Sequence, residues 1–515
     1  MRRSSADRAP SSAATTISQR GRREALIDPD TGRTTYSFDN ASRLTSLLNP
    51  FSERTTWAYD AAGRATTITL ANGTRTTMGY DDASQVTLIR HSKSDDTQVA
   101  KYEYSYNDAG VRTSVLEGNS DRVTWSYDNA WRLTREQRSG DNAYDITYSY
   151  DPVGSRATKL TGGVTTTYSY NAGDAVTAAD AGGTLTTYSW DDAGNNTVVN
   201  ANGTLTTYTW DGENRLKTIQ TASGTITLAY DAGGLRRTRQ DASTTRKYVW
   251  DFQNQLVETD GDGTTVAQYT GSLDTYGPIV SQRRSTTSRF YHPSVLGTIE
   301  TLSGADASVT DTHILDAWGV QHAATGSTTN PFRYIGALGY CTEPDLGLAY
   351  VRARWLRPAT GSWLSVDPVE GEGRYQYARA GASWGWDPSG AQAAPASARY
   401  LWMAGGGGVL IVIIEIAVRF AIRAVADEAG PVITLADMCA VCAEEAERRL
   451  SGSQADLPPY MRFTVSTPNC GTFECLWDEK RMGFAGTWRV TPCPTDPDGC
   501  DCPRRAGGSA SKCGA

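Results

Sequence analysis

The chain has 515 residues, with 57 acidic side chains against 49 Lys and Arg and a formal net charge of -8. That balance excludes nucleic-acid binding by the chain as a whole, because neutralising phosphates takes a basic surface. Tyr (26) and Trp (14) far outnumber Phe (9). Rings with a polar handle suit half-exposed strands better than a dry helical core.

The N-terminus, "MRRSSADRAPSSAATTISQR", is basic but holds no apolar stretch, so it is not a secretory signal. Residues 1–26 read as a disordered or truncated lead. The chain is then the end of a longer protein, or it is exported by a route that reads no such signal.

From residue 27 the sequence is repetitive. An aromatic-Asp or aromatic-Asn pair recurs eleven times, from Phe38-Asp39 to Trp250-Asp251, at intervals of 20 to 26 residues. So steady a period marks a repeat architecture. One unit, Thr184 to Gly203, shows its physics. Thr186, Tyr188 and Trp190 alternate with Leu185, Thr187 and Ser189, which predicts a strand with two distinct faces. "DDAG" at 191–194 supplies turn chemistry. Asn195–Asn200 predicts a second strand and "ANG" at 201–203 a second turn. Each unit is therefore one hairpin, and the array holds roughly 22 strands.

An open sheet of more than about ten strands curls or splits. No helix is encoded between units to cover a face. The fold class is accordingly mainly β, a long antiparallel sheet wrapped as a spiral or hollow shell over 27–270. A propeller or a straight solenoid has the same periodicity. Tyr- and Trp-rich faces serve carbohydrate contact as well as strand packing. A cell-surface adhesive repeat protein that binds a glycan is therefore the alternative functional reading.

Two Asp-Pro pairs, Asp367-Pro368 and Asp387-Pro388, stand one repeat period apart. Trp386-Asp-Pro-Ser-Gly390 looks like the ordinary turn Trp190-Asp-Asp-Ala-Gly194, and Tyr150-Asp-Pro-Val-Gly154 carries the same motif in mid-array. Their spacing alone makes them two more turns. Two carboxylates within a few Å would instead share one proton, leaving one acid and one base to move protons in peptide cleavage. A guanidinium beside them would steady developing negative charge.

The unit "YDAAGRATTITLANGTRTTMGYD" (59–81) resembles the YD repeat of Rhs proteins. Residues 316–390 resemble the Rhs repeat-associated core, through Asp316-Ala-Trp-Gly319, Asn330-Pro-Phe-Arg-Tyr334, Gly347-Leu-Ala-Tyr350, Arg352-Ala-Arg354, Tyr375-Gln-Tyr377 and Asp387-Pro-Ser-Gly390. The resemblance covers 27–391 and implies a hollow β-cocoon with a core domain, 271–391, curled inside to close one end. It further implies an aspartyl-type autoprotease with Asp367, Asp387 and Arg354 as its catalytic residues. The scissile bond it implies is Ala391–Gln392, and the freed C-terminal segment is a cargo, often a toxin, met by an immunity protein. The chain departs from the pattern at Glu370, Ser362, Arg357 and Ala391. A secreted or cell-envelope location follows from the same resemblance.

Residues 392–404 read as a linker and 405–515 as a variable, Cys-rich α+β domain. Val409–Ile414 is too short to span a bilayer. Glu415, Arg419 and Arg423 form one stripe on a predicted helix, and 405–426 offers a membrane contact. A second helix is predicted over 437–450. Cys439, Cys442, Cys470, Cys475, Cys493, Cys500, Cys502 and Cys513 suggest disulfides. Zinc on Cys439, Cys442, Cys470 and Cys475 is the weaker reading, because no His follows His322. Cys442-Ala-Glu444 fits half of a zinc-deaminase motif, but no Pro-Cys-x-x-Cys follows it. Nothing in the tail specifies a reaction, and no cofactor is expected for the shell.

Overall fold

The computed structural model describes residues 14–17, 22–369, 373–391, 394–395, 460–467, 471–478 and 483–484. These fall into two compact units, 1–406 and 407–515.

In the first unit one antiparallel sheet runs through thirty strands, from β1 (Ala14–Ile17) to β30 (Gln321–Thr325). Each strand pairs with its neighbours in sequence, as β17 (Thr184–Trp190) does with β18 (Asn196–Ala201). The sheet is longer than the aromatic-Asp signal at both ends, and it crosses position 270 without a break. Beyond Asp251 the aromatic drops out while the turn persists: Asp260 Oδ1 accepts the Thr264 N–H at 2.8 Å and Asp316 Oδ1 that of Val320 at 2.9 Å.

The repeat's consensus has a local cause. At the aromatic the pairing register slips by one residue, as between Ala58 and Tyr59 or Ser189 and Trp190. A bulge bends and twists its strand. Repeating it along the array curls the sheet instead of leaving it flat. The aromatic then reaches back one unit to a carbonyl: Tyr59 Oη donates to Leu44 O at 2.7 Å, and Trp190 Nε1 to Val176 O at 2.6 Å. Tyr and Trp interchange because both carry a donor at the far end of the ring. The Asp that follows closes the turn. Asp60 Oδ1 accepts the Arg64 N–H at 2.9 Å, and Oδ2 accepts Arg64 Nε at 2.7 Å. Arg64 in turn lies over the next aromatic, Tyr80, 4.6 Å from its centroid.

Faces segregate as the alternation predicts. Tyr208 is buried on the inner side, whereas Leu185 and Leu205 on the other face are 47% and 53% exposed. The curl brings the sheet back against itself after about ten repeats. Arg23 pairs with Asp251, Asn49 Nδ2 donates to Thr270 Oγ1 at 3.0 Å, and Asn72 Nδ2 donates to Ser303 Oγ at 2.8 Å. Among the described strands no ladder joins these coils. Side chains from strands and from the turns between them hold the coils, so the sheet is a spiral and not a set of propeller blades.

Residues 331–369 and 373–391 fill the inner side. A small sheet, β31 (Cys341–Glu343), β32 (Leu348–Val351), β33 (Arg354–Arg357) and β34 (Ser362–Trp363), is almost wholly buried. Its Trp363, with Tyr340, Tyr377 and Trp386, joins one apolar core with Trp57, Ile89 and Tyr148 of the repeats. The segment is tied to three repeat turns and to the start of β18: Trp384 Nε1 donates to Trp131 O at 3.0 Å, Gln376 Nε2 to Val153 O at 3.0 Å, Tyr375 Oη to Gly194 O at 3.0 Å, and Asn196 N to Leu364 O at 2.8 Å.

A short ladder of β35 (Gly385–Trp386) with β36 (Ala394–Pro395) follows in the first unit, and in the second unit β37 (Tyr460–Thr467), β38 (Gly471–Asp478) and β39 (Gly483–Phe484) form an antiparallel sheet. The helices predicted over 405–428 and 437–450 lie outside the described residues. So do the cysteines from Cys439 onward except Cys475, which falls in β38. Among the described residues no helix is long and apolar enough to cross a membrane.

Candidate functional site: one guanidinium between two aspartates

Asp387 opens a turn built like those of the repeats. Its Oδ1 accepts the Ala391 N–H at 3.2 Å, and the Gly390 N–H returns to Asp387 O at 3.2 Å. Asp151 of the mid-array Asp-Pro-Val-Gly turn does the same with Ser155 and Gly154. The difference lies at Oδ2. In repeats such as Asp60–Arg64 that oxygen is held by an arginine four residues on. Here the fourth residue is Ala391, and the cation comes from elsewhere in the fold.

It comes from Arg354, the first residue of β33. Its Nη2 lies 3.0 Å from Asp387 Oδ2 and 2.7 Å from Asp367 Oδ2, so one nitrogen bridges the two carboxylates. Its Nε donates to the carbonyl of Gly390. The guanidinium stacks on Trp363 at 4.2 Å. Its Nη1 is buried and has no partner among the described residues. The three charged side chains are between 1% and 5% exposed.

So dry a site perturbs its own ionisation. Burial raises the Asp367 carboxyl above its ordinary range, while the Val369 N–H and Arg354 pull it back. Burial lowers Arg354, against the attraction of Asp387 and Asp367. The Asp367 carboxyl is thus held by burial and by Arg354 in opposite directions, with burial the larger.

The turn tolerates no side chain at its end. Gly390 has φ +71°, and a Cβ there would lie 2.0 Å from Val351 O. Beyond it the chain returns antiparallel, Trp386 against Ala394 and Gly385 against Pro395. Ala391, the last described residue before the expected scissile bond, gives its N–H to the carboxylate of Asp387. Gln392 itself, like Glu370, lies outside the described residues.

Of the sequence-predicted site residues, the fold brings together Asp367, Asp387, Arg354 and Ala391. Two more were missed. Tyr340 Oη accepts the Asp387 N–H at 2.8 Å and is 3.1 Å from Tyr377 Oη. Arg352 donates through Nη1 to Pro388 O. The Arg-Ala-Arg spacing around a two-residue turn could have pointed to Arg352; no local signal marks Tyr340.

A 30-strand YD-repeat spiral wrapped on a core of this kind defines a class. The chain is similar to YD-repeat shell proteins, in sequence over part of its length and in fold over most of it. The Teneurin YD-shell family matches residues 23–164. Over 127 residues the chain is 31% identical to the tRNA3(Ser)-specific nuclease WapA of Bacillus spizizenii and to the tRNA nuclease WapA of Bacillus subtilis strain 168. Each match covers 24% of this chain but only 5% of the relative's length. Among solved structures, TcdB2-TccC3 without its hypervariable C-terminal region superposes with a TM-score of 0.59 at 15% identity, over 73% of this chain and 21% of that one. The Photorhabdus luminescens Tc holotoxin pore does so with a TM-score of 0.56 at 15% identity, over 74% and 21%. At that identity the likeness is one of fold.

Proposed function

We propose that this protein is a toxin-delivery shell that cuts its own chain after Ala391 and so frees the segment 392–515 as cargo. The observation that carries this reading is Arg354 Nη2 bridging Asp367 and Asp387 while Nε holds Gly390 O, one residue before the Ala391–Gln392 bond.

In the reaction, water adds to the Ala391 carbonyl carbon and loses a proton to one carboxylate. The other carboxyl gives a proton to the Gln392 nitrogen as the C–N bond breaks. The products are an Ala391 carboxylate and a new amino terminus at Gln392. The unpartnered Nη1–H of Arg354 is a donor for the transient oxyanion. The likeness to these proteins supports a secreted or cell-surface location and further protein partners during delivery; an immunity protein as partner of the released segment belongs to the proposal itself.

Intact-mass measurement of the expressed full chain tests this. Wild type yields fragments 1–391 and 392–515, and Asp367→Asn and Asp387→Asn stay whole. A single uncut wild-type species overturns the reading, as does cutting that persists in Asp387→Asn.

A further inference from the structure

A chain of contacts leads from the first repeat of the spiral to the cleavage turn. Arg23, at the start of β2 (Arg23–Ile27), forms a two-point ion pair with Asp251, Nη2 lying 2.9 Å from Oδ1. The pair is 228 residues apart in sequence and joins two successive coils. Arg23 also lies over the ring of Phe252, 5.2 Å from its centroid. Asp251 and Phe252 begin a tight turn, with Phe252 at φ +49°. The next residue, Gln253, offers its carbonyl to Arg352 Nε at 2.8 Å.

Arg352 sits in the turn between β32 and β33, at φ +48° and 4% exposed. Besides Gln253 O it donates to Leu338 O at 3.0 Å through Nη2 and to Pro388 O through Nη1. Three carbonyls from three separate segments thus converge on one buried cation that, among the described residues, has no carboxylate bonded to it. Gly339 makes the approach possible: a Cβ there would lie 2.6 Å from Arg352 Nη2. Pro388 is the residue after Asp387, so whatever moves Arg352 moves the turn that carries the reacting carboxylate.

We propose that Arg352 is a positioning residue that makes cleavage conditional on closure of the spiral, with the Arg23–Asp251 ion pair reporting that closure to the Pro388 carbonyl. Before the first coil seats, Asp251 lacks its cation and the left-handed turn at Phe252 is free to relax. Gln253 O then leaves Arg352, which is left holding two carbonyls in place of three. Displacing a reacting group by about 1 Å is enough to cost two orders of magnitude in rate. A chain that has not closed its shell therefore keeps its cargo attached. This inference rests on the self-cleavage reading above.

The test follows the full chain in a time course of cell-free synthesis, quenched and read by intact mass. Arg23→Asp and Asp251→Arg each slow cutting on the order of tenfold, within the range of coupling between distant sites. The double variant, with the charges exchanged, returns to near the wild-type rate. Arg352→Gln slows cutting at least as much as either single variant, and the charge exchange does not rescue it. Melting of each variant in the uncut Asp387→Asn background separates slow cutting from failure to fold. A wild type that cuts beside single variants that cut equally fast overturns the coupling alone. Singles that are slow but unrescued by the exchange, although folded, overturn it too. An uncut wild type overturns both this inference and the reading it rests on.

Discussion

Arg354 holds Asp387 and the end of the turn that Asp387 begins: Nη2 lies 3.0 Å from Asp387 Oδ2, and Nε donates to Gly390 O. One side chain thereby fixes both a carboxylate and the backbone next to the bond to be cut. Lysine supplies a single point charge and cannot do both. Arg354→Lys is expected to slow cleavage by about 10²-fold or more, the usual cost of losing one aimed donor. Fraction cut against time, by intact mass, measures it.

Gly390→Ala is expected to abolish cutting, because the added Cβ would meet Val351 O at 2.0 Å within a left-handed turn. Gly203→Ala is the control. It shares the positive φ, +92°, but no atom lies within 4 Å of its Cβ. It should cost about 1–2 kcal/mol of backbone strain and leave the cut intact. Mass spectra and melting curves of the two variants distinguish these outcomes.

The repeat aromatics predict a stability effect. Tyr80 Oη donates to Ala65 O at 2.6 Å. Tyr80→Phe keeps the ring under Arg64 and leaves that carbonyl unmet, at a cost of roughly 1–3 kcal/mol. Tyr80→Trp, which restores a donor in the manner of Trp190, should cost less. Denaturant unfolding in the Asp387→Asn background gives both values.

Stability should also depend on pH in two opposed ways. His91 and His292 are fully buried at the seam between coils, 5.0 Å apart, with His91 Nε2 3.1 Å from Pro293 O. Burial drives His91 down from 6.5 to about 4 and lowers His292 as well. The unfolded chain then binds more protons between those values, so stability falls as pH drops from 6.5 towards 4, by about 3 kcal/mol for His91. Glu136 and Glu300 behave oppositely: burial, with Asp316 and Glu117 respectively, raises each to about 8. There the folded chain holds more protons, and stability falls as pH rises from 4.5 to 8. Melting temperature against pH should fall on both sides, and Glu136→Gln should flatten the alkaline side.

The sequence by itself determined everything that acts within one repeat. The bulge at the aromatic, the Asp-closed turn, the arginine four residues on and the carbonyl one unit back all lie within about twenty residues. Their physics is local, so the hairpins, the two faces and the curl were legible. The strands beyond Asp251 were harder to read, because there the aromatic is lost and only the turn remains. The grouping of Arg354 with Asp367 and Asp387 was legible only by resemblance. By local chemistry alone Asp387 and Asp151 open the same turn, and nothing in either stretch says which one faces an arginine. Tertiary structure decided that, by bringing Arg354 to Asp387 Oδ2, where repeats such as Asp60–Arg64 use the residue four places on. It also decided which coils meet, through pairs such as Arg23–Asp251 and His91–Pro293. Those contacts span more than 200 residues and depend on small bends summed over about ten bulges, a quantity no single repeat encodes.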